Sequence, residues 1–210
     1  EIKQGSTGVI TITSPFEAGT QKLEFSREAV LRDFRVGWRS RHTSVLARRE
    51  VIGGRAKFGI FGDGKEVAQL AMAYAFEHGD FCSGHYRDQT FMFALGAVTV
   101  QEFFAQLYAH ADLAGEPAFG GRSMTGHFAT RLLKTDGSWK NQIELYNSSA
   151  DLSPTAAQMP RLVGLAYASK LYRQIPNCRP WQADPRAMAT RSPLEQSATP
   201  AAPRACSGSP

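Results

Sequence analysis

A helix-rich domain over Leu23–Gln174, followed by a tail of different character, is the fold class that the residues predict. Three observations carry it. Apolar side chains recur at the spacing of a helix face in several windows, and start and stop residues bracket those windows. The composition, 42% hydrophobic and 20% charged, is ordinary for a globular chain until it changes near Asn177. At 210 residues the chain is long enough for one domain with a real core, or for a piece of something larger.

The elements follow in order. Residues 1–22 read as an N-terminal extension in which Gly8–Thr13 alternates weakly, as a short strand would. Ser26 is a plausible N-cap for a long helix to about Glu50, with Ala29, Val30, Phe34, Trp38 and Val45 as its apolar positions. A second helix is expected over Lys65–His78, with Val67, Leu70, Ala71, Tyr74 and Ala75 on one face and Gly79 closing it. Asp88–Leu95 suggests a short third helix ended by Gly96. Thr99-Val100-Gln101-Glu102 has the spacing of a capping box and opens a fourth to about Ala109. Ser153-Pro154 supplies an N-cap and a first-turn proline for a fifth, through Leu171.

After Asn177 the texture breaks. Cys178–Pro210 has no Lys, Phe or Tyr and is crowded with Pro, Ala, Ser and Arg. Such a segment buries too little apolar area to offset chain entropy, so disorder over 177–210 is expected. Either it is a flexible tail or the reading frame departs from an ancestral sequence here.

Several function classes are disfavoured. No run of roughly 18 apolar residues exists, so no membrane span is expected. The first residues, Glu1-Ile2-Lys3-Gln4-Gly5, lack a signal-peptide core, and the absence of Met at position 1 suggests a processed, trimmed or incomplete start. The net charge of +5 is small, and its densest basic stretch, Arg35–Arg49, reads as a solvated helix face or a subunit contact rather than a nucleic-acid stripe. Cys82, Cys178 and Cys206 are odd in number and widely spaced, which makes a disulfide framework or zinc site unlikely and a reduced cytoplasmic setting the default. The histidines at 42, 78, 85, 110 and 127 form no His-Glu-x-x-His helix; no Gly-x-Ser-x-Gly elbow occurs; and Gly59–Gly64 fits neither Rossmann nor P-loop spacing.

Two loop-to-helix pieces concentrate groups suited to an anion: Ser83-Gly84-His85-Tyr86-Arg87-Asp88 and Arg122-Ser123-Met124-Thr125-Gly126-His127. Arginine offers a planar fork of donors that matches phosphate, and tyrosine adds a donor on a rigid stem. On the residues alone, Arg87 could equally pair with Asp88 while Tyr86 packs in the core, and His127 could simply bond a loop carbonyl.

In register, the block Gly62–Lys170 resembles the alpha subunit of thiamine-diphosphate-dependent 2-oxo acid dehydrogenases, the decarboxylating first component of those complexes. The resemblance rests on the Gly62-Asp63-Gly64-Lys65-Glu66 turn, Tyr86-Arg87-Asp88, and Gly96 followed by Val100–Gln106. It continues in Ser123–His127, in Ser153-Pro154-Thr155-Ala156-Ala157-Gln158-Met159-Pro160, and in Val163–Ala168. Together these cover roughly half of the chain. The resemblance implies an α/β thiamine-diphosphate-binding fold, a parallel sheet with flanking helices, of which 23–176 would be the helix-rich N-terminal part.

It further implies oxidative decarboxylation of a 2-oxo acid and acyl transfer to a lipoyl carrier. The Ser-Pro-x-Ala-x-Gln-x-Pro pattern leans toward branched-chain 2-oxo acids, with pyruvate second. Tyr86 and Arg87 would reach the cofactor's diphosphate, and His127 would be the active-site-loop histidine. Ser153 and Thr155 would lie against the aminopyrimidine. Ser153 and Gln158 match a potassium site in which Ala157 replaces a common Thr ligand; alternatively, Ser153 is only a helix cap. Magnesium would share the diphosphate charge. However, Gly62-Asp63-Gly64 stands too early to be the family's metal motif, and no Asn follows at about 30 residues. The metal half of the site would fall after Tyr172, where the tail begins, so a frameshift or truncation near Asn177 is the favoured account of that tail.

The implied partners are a beta subunit or fused beta domain, which supplies the activating carboxylate, and a lipoyl acyltransferase component. The implied compartment is the cytoplasm, or the mitochondrial matrix in a eukaryote. The alternatives are an inactive interaction fragment and, last, a helical phosphate- or nucleic-acid-binding module using Arg35–Arg49.

Overall fold

A computed structural model describes residues 8–13, 20–149, 154 and 156–174, with the side chains of 26–171 (150–153 and 155 apart) and Gln174. The tail at 177–210, Ser153 and Thr155 lie outside the described residues. β1 (Gly8–Thr13) is the strand expected from its alternation, and it pairs antiparallel with β2 (Thr20–Phe25), which the sequence did not announce. Four helices follow: α1 (Arg27–Ile52), α2 (Glu66–Tyr74), α3 (Gln89–Leu95) and α4 (Val100–Leu107). β3 (Phe81–Ser83) lies between α2 and α3 and pairs in parallel with β4 (Asn147–Ser149), which leads to α5 (Gln158–Gln174). A parallel pair flanked by helices is α/β architecture in miniature.

The expected caps form. Ser26 Oγ accepts from the Ala29 N–H at 3.1 Å, and Thr99 and Glu102 exchange both bonds of the capping box. Gly96 ends α3 at φ 67°, in the left-handed region where glycine meets no Cβ penalty.

Two expectations are corrected. α2 stops at Tyr74 rather than His78, because Asp80 draws the chain into a turn: its carboxylate accepts from the Glu77 N–H and its own N–H donates to the Glu77 carbonyl. α5 starts at Gln158 rather than Pro154, because Ala156 sits at φ 67°, a conformation a right-handed helix cannot include. The side of α1 that faces inward is not the one its large apolar residues mark. Val30, Phe34 and Trp38 are 51%, 64% and 58% exposed, whereas Ser40, Thr43, Ser44 and Ala47 are buried. That stripe of small side chains at helical spacing lets α3 come close enough for Ser40 and Thr90 to share a hydrogen bond of 2.7 Å.

The apolar core gathers Ala47, Ala56, Phe61, Phe91, Met92, Phe103, Leu107 and Phe128. Phe103 is its hub, with ring centroids 6.4 Å from Phe61 and 6.0 Å from Phe93. On the outside, Met159, Val163, Tyr167 and Leu171 form an exposed four-residue-spaced ridge along α5. No described helix is long and apolar enough to cross a membrane.

Ion pairs tie the helices at their rims. Arg41 grips Glu66 through two nitrogens, at 2.6 and 3.0 Å, and holds its carboxyl below the usual range. Glu50 accepts from Arg55 and from the Tyr108 hydroxyl at 2.7 Å, joining the end of α1 to the end of α4. The Arg55 hydrogen bond, with Tyr108 second, lowers the Glu50 carboxyl to about 2. Because the folded pKa is depressed, this contribution is present above the unfolded carboxyl's pKa and is lost as pH falls from about 4.5 toward 2. Urea unfolding at stepped pH should therefore show wild type losing more stability across that window than Glu50→Gln. Parallel losses would remove Glu50 from the linkage.

Candidate functional site

The C-terminal ends of parallel strands are where open α/β sheets gather ligands, and both motif-bearing loops of this chain converge there. β3 runs into the Gly84–Asp88 turn. That turn closes on itself: the His85 N–H donates to Asp88 Oδ2 at 2.8 Å, and the Asp88 N–H donates to the His85 carbonyl at 2.9 Å.

Gln69 of α2 then fastens the turn to the helix that follows. Its amide nitrogen donates to the Arg87 carbonyl at 2.9 Å and to Asp88 Oδ1 at 3.2 Å, while its oxygen accepts from the Thr90 and Phe91 N–H groups. Those two donors belong to the first turn of α3 and have no partner within the helix. Gln89 acts similarly from the other side: it accepts from the Gly62 N–H at 3.3 Å and donates to the Ser40 carbonyl and the Ser44 hydroxyl. Both glutamines are almost wholly buried.

Two glycines press on the same stretch of backbone. A Cβ on Gly62 would lie 2.2 Å from the Arg87 carbonyl oxygen, and one on Gly126 would lie 2.4 Å from that of Tyr86. Neither distance is tolerable, so the Tyr86–Arg87 segment is clamped between loops that only glycine lets approach. The arrangement brings together three of the segments singled out in the sequence, around residues 62–64, 86–88 and 126–127.

Held this way, the side chains point to different tasks. Tyr86 is half-buried with its ring 3.9 Å from that of His85, and the Arg87 guanidinium lies 5.7 Å from the Tyr86 ring centroid. Arg87 is exposed, and among the described residues its guanidinium makes no hydrogen bond or ion pair. The reading in which Arg87 pairs with Asp88 is therefore corrected: the Asp88 carboxylate takes the His85 N–H and the Gln69 amide instead.

The second motif is held from below. Glu116, 3% exposed, accepts from the backbone N–H groups of Ala118, Phe119 and Gly121, fixing the loop that leads to Arg122. Gln106 of α4 accepts from the Gly126 N–H at 2.7 Å and donates to the His127 carbonyl at 2.9 Å. His127 is buried, and its Nδ1 lies 3.0 Å from the Met124 carbonyl. A carbonyl only accepts, so Nδ1 carries the proton. The loop-carbonyl contact weighed from the sequence is present, and it orients the ring.

The start of α5 reaches the same strand end. The Ser83 hydroxyl donates to the Gln158 carbonyl at 3.1 Å, and the Gln158 side chain is buried. The Ser149 hydroxyl donates to the Cys82 carbonyl, bracing β4 on β3. Asp63 is engaged elsewhere, in a 2.6 Å ion pair with Arg48. Among the described residues no group of three His, Cys, Asp or Glu side chains could hold a metal ion.

The arrangement of one exposed, uncommitted guanidinium, a tyrosine and an oriented histidine suits an anion entering from solvent. Sequence comparison agrees with the motifs that make it. The chain is 31% identical over 122 residues to the 2-oxoisovalerate dehydrogenase subunit alpha of Bacillus subtilis (strain 168), a match covering 58% of this chain and 32% of that relative. It is 32% identical over 117 residues to the mitochondrial 2-oxoisovalerate dehydrogenase subunit alpha of Caenorhabditis elegans, covering 56% of this chain and 23% of that protein. The chain thus spans about a third or less of the length of these curated relatives. Residues 41–179, about two thirds of the chain, match the family described as Dehydrogenase E1 component, and they include Tyr86, Arg87, His127 and Gln158. This chain belongs to the dehydrogenase E1 component family.

Proposed function

We propose that this chain forms the diphosphate-binding part of a 2-oxo acid dehydrogenase alpha subunit, with thiamine diphosphate as its cofactor. The observation that carries the reading is Arg87: its guanidinium is exposed and, among the described residues, uncommitted, on a backbone segment clamped by Gly62 and Gly126. A fixed cation with free planar donors is what a diphosphate requires, and charge-assisted contacts of this kind are among the strongest in proteins. Tyr86 adds a neutral donor, and the His127 ring is oriented by the Met124 carbonyl, 3.0 Å from its Nδ1. Ser153 and Thr155 are assigned to the aminopyrimidine side, and Ser153 with Gln158 to a potassium ion.

When bound, the cofactor supplies the carbanion and electron sink for decarboxylation. This chain binds and orients the diphosphate and compensates its charge. Magnesium would share that charge, with ligands from outside the described residues. The substrate is a 2-oxo acid, branched-chain before pyruvate, and the acyl unit passes to a lipoyl group on an acyltransferase component. A beta subunit or fused beta domain completes the site. The unit 23–176 is the partial domain that does this, and the compartment is the cytoplasm or the mitochondrial matrix. The exposed apolar ridge on α5 favours a second reading, a fragment that pairs with a beta subunit without catalysis.

Reconstitution tests both. With a beta subunit, magnesium and thiamine diphosphate, release of carbon dioxide from 2-oxoisovalerate faster than from pyruvate is expected. A stable complex that releases none from either acid would contradict the enzymatic reading and leave the pairing fragment.

A further inference from the structure

The geometry points to Gln106 as a positioning residue that makes the Tyr86–Arg87 segment and His127 one rigid unit. The inference rests on the anion-binding reading above, and it gives a role to a residue that the Val100–Gln106 motif contains without assigning it one. Gln106 is 4% exposed, on the inner face of α4 between Phe103 and Leu107. Its amide is spent on the motif loop alone, accepting from the Gly126 N–H and donating to the His127 carbonyl. Gly126, at φ 87°, is the residue that abuts the Tyr86 carbonyl.

A buried amide whose two ends bracket a residue pair fixes that pair in direction as well as position, since neither donor nor acceptor has water to turn to. Movement of Gly126 away from Gln106 would strand both polar ends. It would also release the carbonyl of Tyr86 and turn the histidine whose Nδ1 is aimed at Met124. Gln106 touches no ligand in this account; it sets where two ligand-facing side chains stand relative to each other.

The test uses the full chain assembled with a beta subunit and magnesium, and two readouts. Ring-nitrogen NMR of His127 reports its tautomer without ligand, and titration with inorganic pyrophosphate reports the joint site. Gln106→Met keeps the shape and removes both hydrogen bonds. It is expected to mix the His127 tautomers and to weaken pyrophosphate about tenfold, the loss of one to two net hydrogen bonds. Gln106→Glu keeps the acceptor for Gly126 and loses the donor to His127, so it should fall between Met and wild type. It also serves if the Met variant does not fold.

A variant that folds with the wild-type tautomer and pyrophosphate affinity within twofold overturns the positioning role, whatever its melting temperature. If wild type itself ignores pyrophosphate, the anion-binding reading fails. The His127 tautomer then decides the positioning role alone, with mixing in the variant supporting it and no change overturning it.

Discussion

Gly126→Ala is expected to destabilise the protein by about 2–5 kcal/mol, combining a left-handed conformation that disfavours a Cβ with overpacking of a buried contact. The two contributions can be separated within this chain. Gly137 has φ 82° but nothing within 4 Å of an added Cβ, so Gly137→Ala carries the conformational strain alone, about 1–2 kcal/mol. At Gly62 the backbone lies outside the left-handed region and the contact is 2.2 Å from the Arg87 carbonyl, so Gly62→Ala carries the overpacking alone, about 1–3 kcal/mol. Urea unfolding of the three variants should rank Gly126→Ala as the most damaging. If it matched Gly137→Ala, the close approach of the His127 loop to Tyr86 would not exist in solution.

Arg87→Ala should leave the fold nearly untouched and weaken the ligand. Its guanidinium is exposed and lies 5.7 Å from the Tyr86 ring centroid, so little packing is lost. Removing a charged hydrogen-bonding partner of a diphosphate costs about 1.5–3 kcal/mol, or about 10- to 150-fold in affinity. Binding of thiamine, which carries no phosphate, should be unchanged, so competition between the two ligands isolates the contact. An equal loss for both would place Arg87 away from the diphosphate.

Part of this is legible in the sequence alone. Thr99 and Glu102 announced the start of α4, because a capping box is a local hydrogen-bond pattern with a fixed spacing. The motifs single out Tyr86, Arg87 and His127, and the fold brings their backbones together through Gly126. What stayed hidden was non-local. β3 and β4 are only three residues each, too short for an alternation signal, and their pairing joins segments far apart in the chain. The exposure of Val30, Phe34 and Trp38 was not legible, because apolar spacing marks a face without saying which side is buried. Ser40, Ser44 and Ala47 carried the inner seam on small side chains that no hydrophobic pattern detects.

Gln69, Gln89 and Gln106 were missed because glutamine is ordinarily a surface residue. For Gln106 the hints were its place at the end of the Val100–Gln106 motif and its position between Phe103 and Leu107, on what proves to be the buried side of α4. An amide at such a place must find partners, and here all three find loop backbone.

The most direct measurement is a calorimetric titration of thiamine diphosphate with magnesium into the chain, alone and with a beta subunit. Saturable binding that requires both magnesium and the partner is the predicted result. An absence of binding to the assembled complex would contradict the assignment of Tyr86 and Arg87 to a diphosphate.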